Sequence, residues 1–154
     1  MLPFSKILCP TDFKEAAQAA LSAAAELADL FWAELTILHV VEPLRALACI
    51  PEGAGFVIAP HAAAAVTDGL VDAAADTLRH LTGRLPASLS HRERIVFGTP
   101  AAKILEIAHA EKVDLIVMGT RGRAGWSHLL FGSLAEAVCK SAPCPVMVVH
   151  RAVD

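Results

Sequence analysis

Residues 6–41, KILCPTDFKEAAQAALSAAAELADLFWAELTILHVV, decide the fold class. Lys6-Ile7-Leu8-Cys9-Pro10 is a short apolar run that stops at Pro10 and Asp12, which reads as a buried strand. From Lys14 to Trp32, Ala17, Leu21, Ala24, Leu27, Ala28 and Phe31 recur at helical spacing. Leu35 to Val41 is then apolar almost without interruption, the character of a strand covered on both faces, as in a parallel sheet.

The remainder repeats the alternation. Glu42 to about His61 holds Pro43, Pro51, Gly53, Gly55 and Pro60, and reads as a long mobile loop. Val66, Leu70, Ala74, Leu78, Leu81 and Leu85 step by four, four, four, three and four, a second amphipathic helix with Pro86 after it. Arg94 to Phe97 is a third strand. Thr99 and Pro100 suit the N-cap and first turn of a helix through Ala110. Val113–Met118 reads as a fourth strand, Ser133–Ser141 as a fourth helix, and Pro145–Val149 as a fifth strand with its proline where a missing donor is tolerated. Such alternation implies an α/β fold, a doubly wound five-stranded parallel sheet with right-handed crossovers and helices on both faces.

Size and balance narrow the function. The 154 residues show no internal repeat or linker, so a single domain over 1–154 is expected, burying roughly two-thirds of its unfolded surface. With 55% hydrophobic and 19% charged residues, disorder is excluded. Much of the apolar content is alanine, which suits closely packed helices, and no apolar run approaches the ~18 residues of a membrane span. Met1 to Lys6 lacks a basic segment followed by an apolar one, so a cytoplasmic location is expected. Net charge is −3 without a basic stripe, which argues against a nucleic-acid partner. Cys9, Cys49, Cys139 and Cys144 show no zinc-ligand spacing and are expected as buried or semi-buried thiols.

In an open parallel sheet, ligands bind beyond the carboxyl ends of the strands. Two strand ends carry unusual residues. After the first, Cys9-Pro10-Thr11-Asp12 offers a carboxylate three residues before Glu15, and spacing leaves two readings open: a helix cap, or an acceptor for ribose hydroxyls. After the fourth, Met118-Gly119-Thr120-Arg121-Gly122-Arg123-Ala124-Gly125-Trp126 places three glycines within seven residues, and Gly132-Ser133 then opens a helix. Glycines let backbone approach a ligand, and a helix N-terminus favours phosphate. Arg121 and Arg123 could bind phosphate oxygens or simply be solvated, and Ser133 with Glu136 would make a capping box with or without a ligand. Neither a Walker loop nor the dinucleotide glycine fingerprint is present, which speaks against a P-loop ATPase and a nicotinamide dehydrogenase.

Gly119-x2-Gly122-x9-Gly132-Ser133 resembles the nucleotide-binding signature of the universal stress protein family, in its ATP-binding branch. Lys6 to Phe13, His39-Val40-Val41-Glu42-Pro43, Met118 to Arg123 and Ala142 to Val149 look like that family's marked blocks, in its order, from about residue 4 to 150. The resemblance implies that Pro10, Thr11 and Asp12 border the nucleoside and that Val40 meets adenine through its backbone. Met118, Gly119 and Gly122 would line the pocket, with Gly122, Gly132 and Ser133 around the phosphates of ATP, alone or with Mg²⁺ or Mn²⁺. Phosphate contacts from Arg121 and Arg123 are an inference from charge. Lys14 stands where many relatives have Ser, just past the site. Many relatives also dimerise through the last strand, which implies a homodimer through 146–149.

His39 is expected as a satisfied core histidine, and Trp126 and Phe131 as packing for the glycine loop. The histidines form no helical metal pair, and no G-x-S-x-G nucleophile elbow occurs. The expected function is an ATP-dependent stress-response or signalling module with an unknown protein partner. The alternatives are a slow ATPase or nucleotidyl-transfer enzyme, for which no general base stands out, and a homologue that has lost nucleotide and works by protein contact.

Overall fold

The structure is a computed structural model that describes residues 3–42, 60–121 and 132–151, with 60–63, 121 and 151 described by backbone alone. In chain order it runs β1 (Lys6–Pro10), α1 (Glu15–Phe31), β2 (Glu34–Val41), α2 (Pro60–Thr82), β3 (His91–Phe97), α3 (Pro100–Ala110), β4 (Leu115–Arg121), α4 (Gly132–Ser141) and β5 (Val146–Arg151). All five strands are parallel, in the order β3-β2-β1-β4-β5. The doubly wound α/β architecture expected from the alternation is present.

Central β1 shows why its sequence reads as continuous apolar: Ile7, Leu8 and Cys9 are fully buried, with side chains alternating to opposite faces. Ile7 and Cys9 join a core with Ile37, Val117, Ala24 of α1 and Leu78 of α2. Leu8 joins the other core, with Leu38, Met118, Ile104 of α3 and Val138 of α4. Helices α1 and α2 therefore cover one face, α3 and α4 the other.

Several boundaries differ from the sequence reading. Strand β3 begins at His91 rather than Arg94, because it is an edge strand whose first residues His91, Arg92 and Glu93 are exposed and polar. Strand β4 continues past Met118 to Arg121, paired with β5 from Gly119↔Val149 to Arg121↔Arg151, so Gly119 is inside the strand and not in the loop beyond it. Helix α2 ends at Thr82, and Leu85 lies in the following turn while still packing on the core. Thr99 is the N-cap of α3 through its backbone, with no side-chain cap bond. The irregular stretch expected over Glu42–His61 lies, from 43 to 59, outside the described residues.

Of the cysteines, Cys9 is buried and Cys144 half-buried, but Cys139 is exposed, contrary to expectation, on the outer side of the short helix α4. Cys49 lies outside the described residues. Among the described residues no helix is long and apolar enough to cross a membrane.

Candidate functional site

The strand order sets where a ligand would sit. From β1 the chain winds outward through β2 to β3, then crosses to the other side of β1 for β4 and β5. The winding reverses between β1 and β4, and the crevice beyond their carboxyl ends is the switch-point position for ligands in open α/β sheets. The pairing Ile7↔Leu115 and Leu8↔Ile116, carried forward, sets the Pro10–Asp12 turn beside Met118–Thr120. The two marked strand ends, far apart in sequence, are neighbours.

The β1–α1 turn is tightly organised. Thr11 N–H donates to the Leu38 carbonyl at 2.8 Å, Phe13 N–H to Thr11 Oγ1 at 3.0 Å, and Lys14 N–H to Asp12 Oδ1 at 3.0 Å. Asp12 therefore forms a local turn, and the helix N-cap is Lys14, which makes no side-chain cap bond. The capping reading of Asp12 is corrected to that extent. Asp12 remains exposed, its Oδ2 3.8 Å from Lys14 Nζ, so an outer lone pair stays available to a hydroxyl donor. Lys14 touches the site's carboxylate instead of lying past it.

Val40 stands one strand over. The Leu38 carbonyl faces β1, since it accepts from Thr11 N–H, while the Val41 carbonyl faces β3 and accepts from Gly98 N–H at 3.1 Å. Alternation along β2 turns the Val40 N–H and C=O to the β1 side, past the last residue of β1. Its side chain packs with Val96 on the α3 face.

At the β4 end, Met118 is buried at 3% exposure in the α3–α4 core, so only its backbone borders the crevice. Gly119 faces α1: a Cβ there would stand 2.1 Å from the Ala16 carbonyl oxygen and 2.8 Å from the Ala17 nitrogen. The glycine thus admits the first turn of α1 rather than a ligand, a role not anticipated from its place in the glycine pattern. Gly132 opens α4 with φ +73°, and a Cβ there would lie 3.7 Å from Thr120 Oγ1. That proximity brings the α4 N-terminus to the end of β4. Ser133 is exposed in the first turn of α4, and Glu136 is bonded to Lys140 Nζ at 2.5 Å.

Thr120, buried at 6%, is a neighbour of the site that the sequence reading passed over. Residues with that burial and a small polar side chain leave no periodic signal. His39 is satisfied as expected, its Nδ1 donating to the Thr11 carbonyl at 2.8 Å. Arg121 ends β4, its side chain undescribed, while Gly122, Arg123, Trp126 and Phe131 lie outside the described residues. Among the described residues no group of three His, Cys, Asp or Glu could hold a metal ion.

Comparison with known proteins identifies the family and the fold. Universal stress protein MJ0531 of Methanocaldococcus jannaschii is 32% identical over 149 residues, covering 96% of this chain and 83% of its own. MJ0577 of the same organism is 30% identical, with 96% of each chain covered, and its solved structure superposes with a TM-score of 0.79 over 98% of this chain and 99% of its own at 29% identity. A universal stress protein in complex with cAMP shares the fold at a TM-score of 0.59 and 21% identity, covering 96% of this chain and 97% of its own. The pattern of the universal stress protein family matches residues 3–150, and the chain belongs to that family.

Proposed function

We propose that this protein binds ATP in the crevice between the carboxyl ends of β1 and β4 and acts as a nucleotide-dependent stress-response or signalling module in the cytoplasm. The observation that carries the reading is the meeting of three features at the point where the winding reverses. These are the exposed Asp12 carboxylate, the Val40 backbone turned past the end of β1, and the α4 N-terminus against Thr120. Asp12 would accept from the ribose, and the Val40 N–H and C=O would read the adenine edge. Free N–H groups at Gly132 and Ser133, with Gly122 and the charges of Arg121 and Arg123, would hold the phosphates, alone or with Mg²⁺ or Mn²⁺. Pro10, Thr11, Met118 and Gly119 would frame the crevice through backbone and packing.

Acid release of bound nucleotide from the purified protein, followed by chromatography, should give an adenine nucleotide. Calorimetry should favour ATP over GTP, since the backbone pattern at Val40 fits one purine edge. Gly122→Val should abolish binding with the far-ultraviolet spectrum unchanged. ATP bound by that variant at wild-type affinity would overturn the pocket. With Mg²⁺, turnover should stay well below the ~10 s⁻¹ of a dedicated enzyme, because the sequence lacks a Walker lysine and offers no convincing general base near its glycine loop. A twofold homodimer through β5 belongs to the same reading.

A further inference from the structure

We infer that His39 and Phe13 are positioning residues that hold the β1–α1 turn in its ligand-ready shape. The inference rests on the reading of that turn as the nucleoside side of the ATP site.

Three non-glycine residues among those described have positive φ: Trp32 at 55°, Lys112 at 53° and Phe13 at 66°. Trp32 and Lys112 follow the ends of α1 and α3, where the left-handed conformation is the ordinary way to stop a helix. Phe13 precedes a helix and has no such reason. A bulky side chain there is strained, and the strain persists only if neighbouring contacts impose it.

Those contacts are present. The His39 ring stacks on Phe13 with centroids 4.2 Å apart and planes at 28°. The same ring donates from Nδ1 to the Thr11 carbonyl at 2.8 Å, which fixes its tautomer. Gln18 Nε2 donates to the Phe13 carbonyl at 3.1 Å from the α1 side. Thr11 and Phe13 are thus held from β2 by one imidazole, and Asp12 lies between them. Room to relax exists, since Phe13 also lines a cleft of ≈ 100 Å³ with Gln18, Thr77, His80, Leu81 and Arg84. Without His39, the turn can swing toward that cleft and carry the Asp12 carboxylate and Thr11 away from the crevice.

The test separates donor from ring. His39→Asn keeps an N–H donor near the Nδ1 position, and His39→Phe keeps a ring without one; His39→Ala is the second donor-less variant should His39→Phe not fold. Hydrogen exchange of the Phe13 and Lys14 amides is read on nucleotide-free protein, with the urea midpoint as the control for global stability. Loss of the donor should speed exchange at both amides and weaken ATP binding about tenfold, with His39→Asn, which loses only the stack, between wild type and the donor-less variants in both and the urea midpoint held. Unchanged exchange or unchanged ATP affinity in the donor-less variants overturns the positioning role. So does a loss shared equally by His39→Asn. If wild-type protein binds no ATP, the proposed function fails, and the exchange data alone then decide whether His39 holds the turn.

Discussion

Replacing Gly119 by alanine would drive a methyl group into the backbone of α1, 2.1 Å from the Ala16 carbonyl oxygen, where no rotamer can give way. Overpacking of this kind costs about 1–3 kcal/mol, and a clash with backbone belongs at the upper end, so Gly119→Ala should lose about 3 kcal/mol in urea unfolding. Gly132→Ala would place its methyl at ordinary contact distance, 3.7 Å from Thr120 Oγ1, but keeps φ at +73°, so its cost should be about 1 kcal/mol, chiefly conformational. A Gly119→Ala variant no less stable than Gly132→Ala would show that α1 does not rest on β4 as described. The thiols separate in the same way. Burial pushes the Cys9 thiol up to about 12, and burial, followed by the Asp114 charge, raises that of Cys144. Since the thiolate is the nucleophile, iodoacetamide at pH 8 should label exposed Cys139 first, Cys144 later, and Cys9 only in denaturant, as read by peptide mass mapping. Early labelling of Cys9 would contradict its place in the core.

Strands β1 and β4 are locked at their amino ends by one carboxylate. Asp114 Oδ2 accepts from Ser5 Oγ at 2.6 Å, from Ser5 N–H at 2.9 Å and from Lys6 N–H at 2.9 Å, and Asp114 N–H returns a bond to the Lys6 carbonyl at 2.9 Å. The Ser5 hydroxyl and amide bonds, with smaller help from Lys6, hold the Asp114 carboxyl below the usual carboxylate range. A depressed folded-state value means stability present above the unfolded value and lost as pH falls through the folded one. Asp114→Asn should therefore be less stable than wild type at pH 7, and the gap should close as pH drops below about 4. A gap unchanged between pH 7 and pH 3 would refute the carboxylate tie. Nothing in the sequence marked Ser5 and Asp114 as partners, because a contact between two strand ends has no local signature. The interior strands were legible, since burial on both faces leaves continuous apolar runs such as Leu35–Val41. Edge strand β3 was truncated in reading because solvent permits charge at Arg92 and Glu93. The site was half legible: Asp12 and Gly132 could be found as strand-end and helix-start residues, but their meeting depends on β4 being inserted beside β1, which chain order does not specify.

At the scale of the whole molecule, β5 closes one edge of the sheet. Its apolar residues include Met147, 41% exposed, and an apolar edge strand is a template for pairing with another chain. The two sides of β5 can be told apart. Pro145 C=O accepts from Ile116 N–H at 3.0 Å, so residue 145 faces β4, and alternation turns the backbone of Met147 and Val149 to β4 and that of Val146 and Val148 to the outer edge. A twofold partner adding the same strand antiparallel would use the outer set, an isologous contact. Proline removes one donor and sets a ring in its place. Val148→Pro should therefore give a folded monomer with its far-ultraviolet spectrum kept, since the β4 ladder retains its donors. Met147→Pro removes a donor from that ladder and should lower the melting temperature of the protein itself. Light scattering at micromolar concentration should report a dimer for wild type and a monomer for Val148→Pro. A monomeric wild type, or a Val148→Pro variant that remains a dimer, would place the assembly surface elsewhere than this edge.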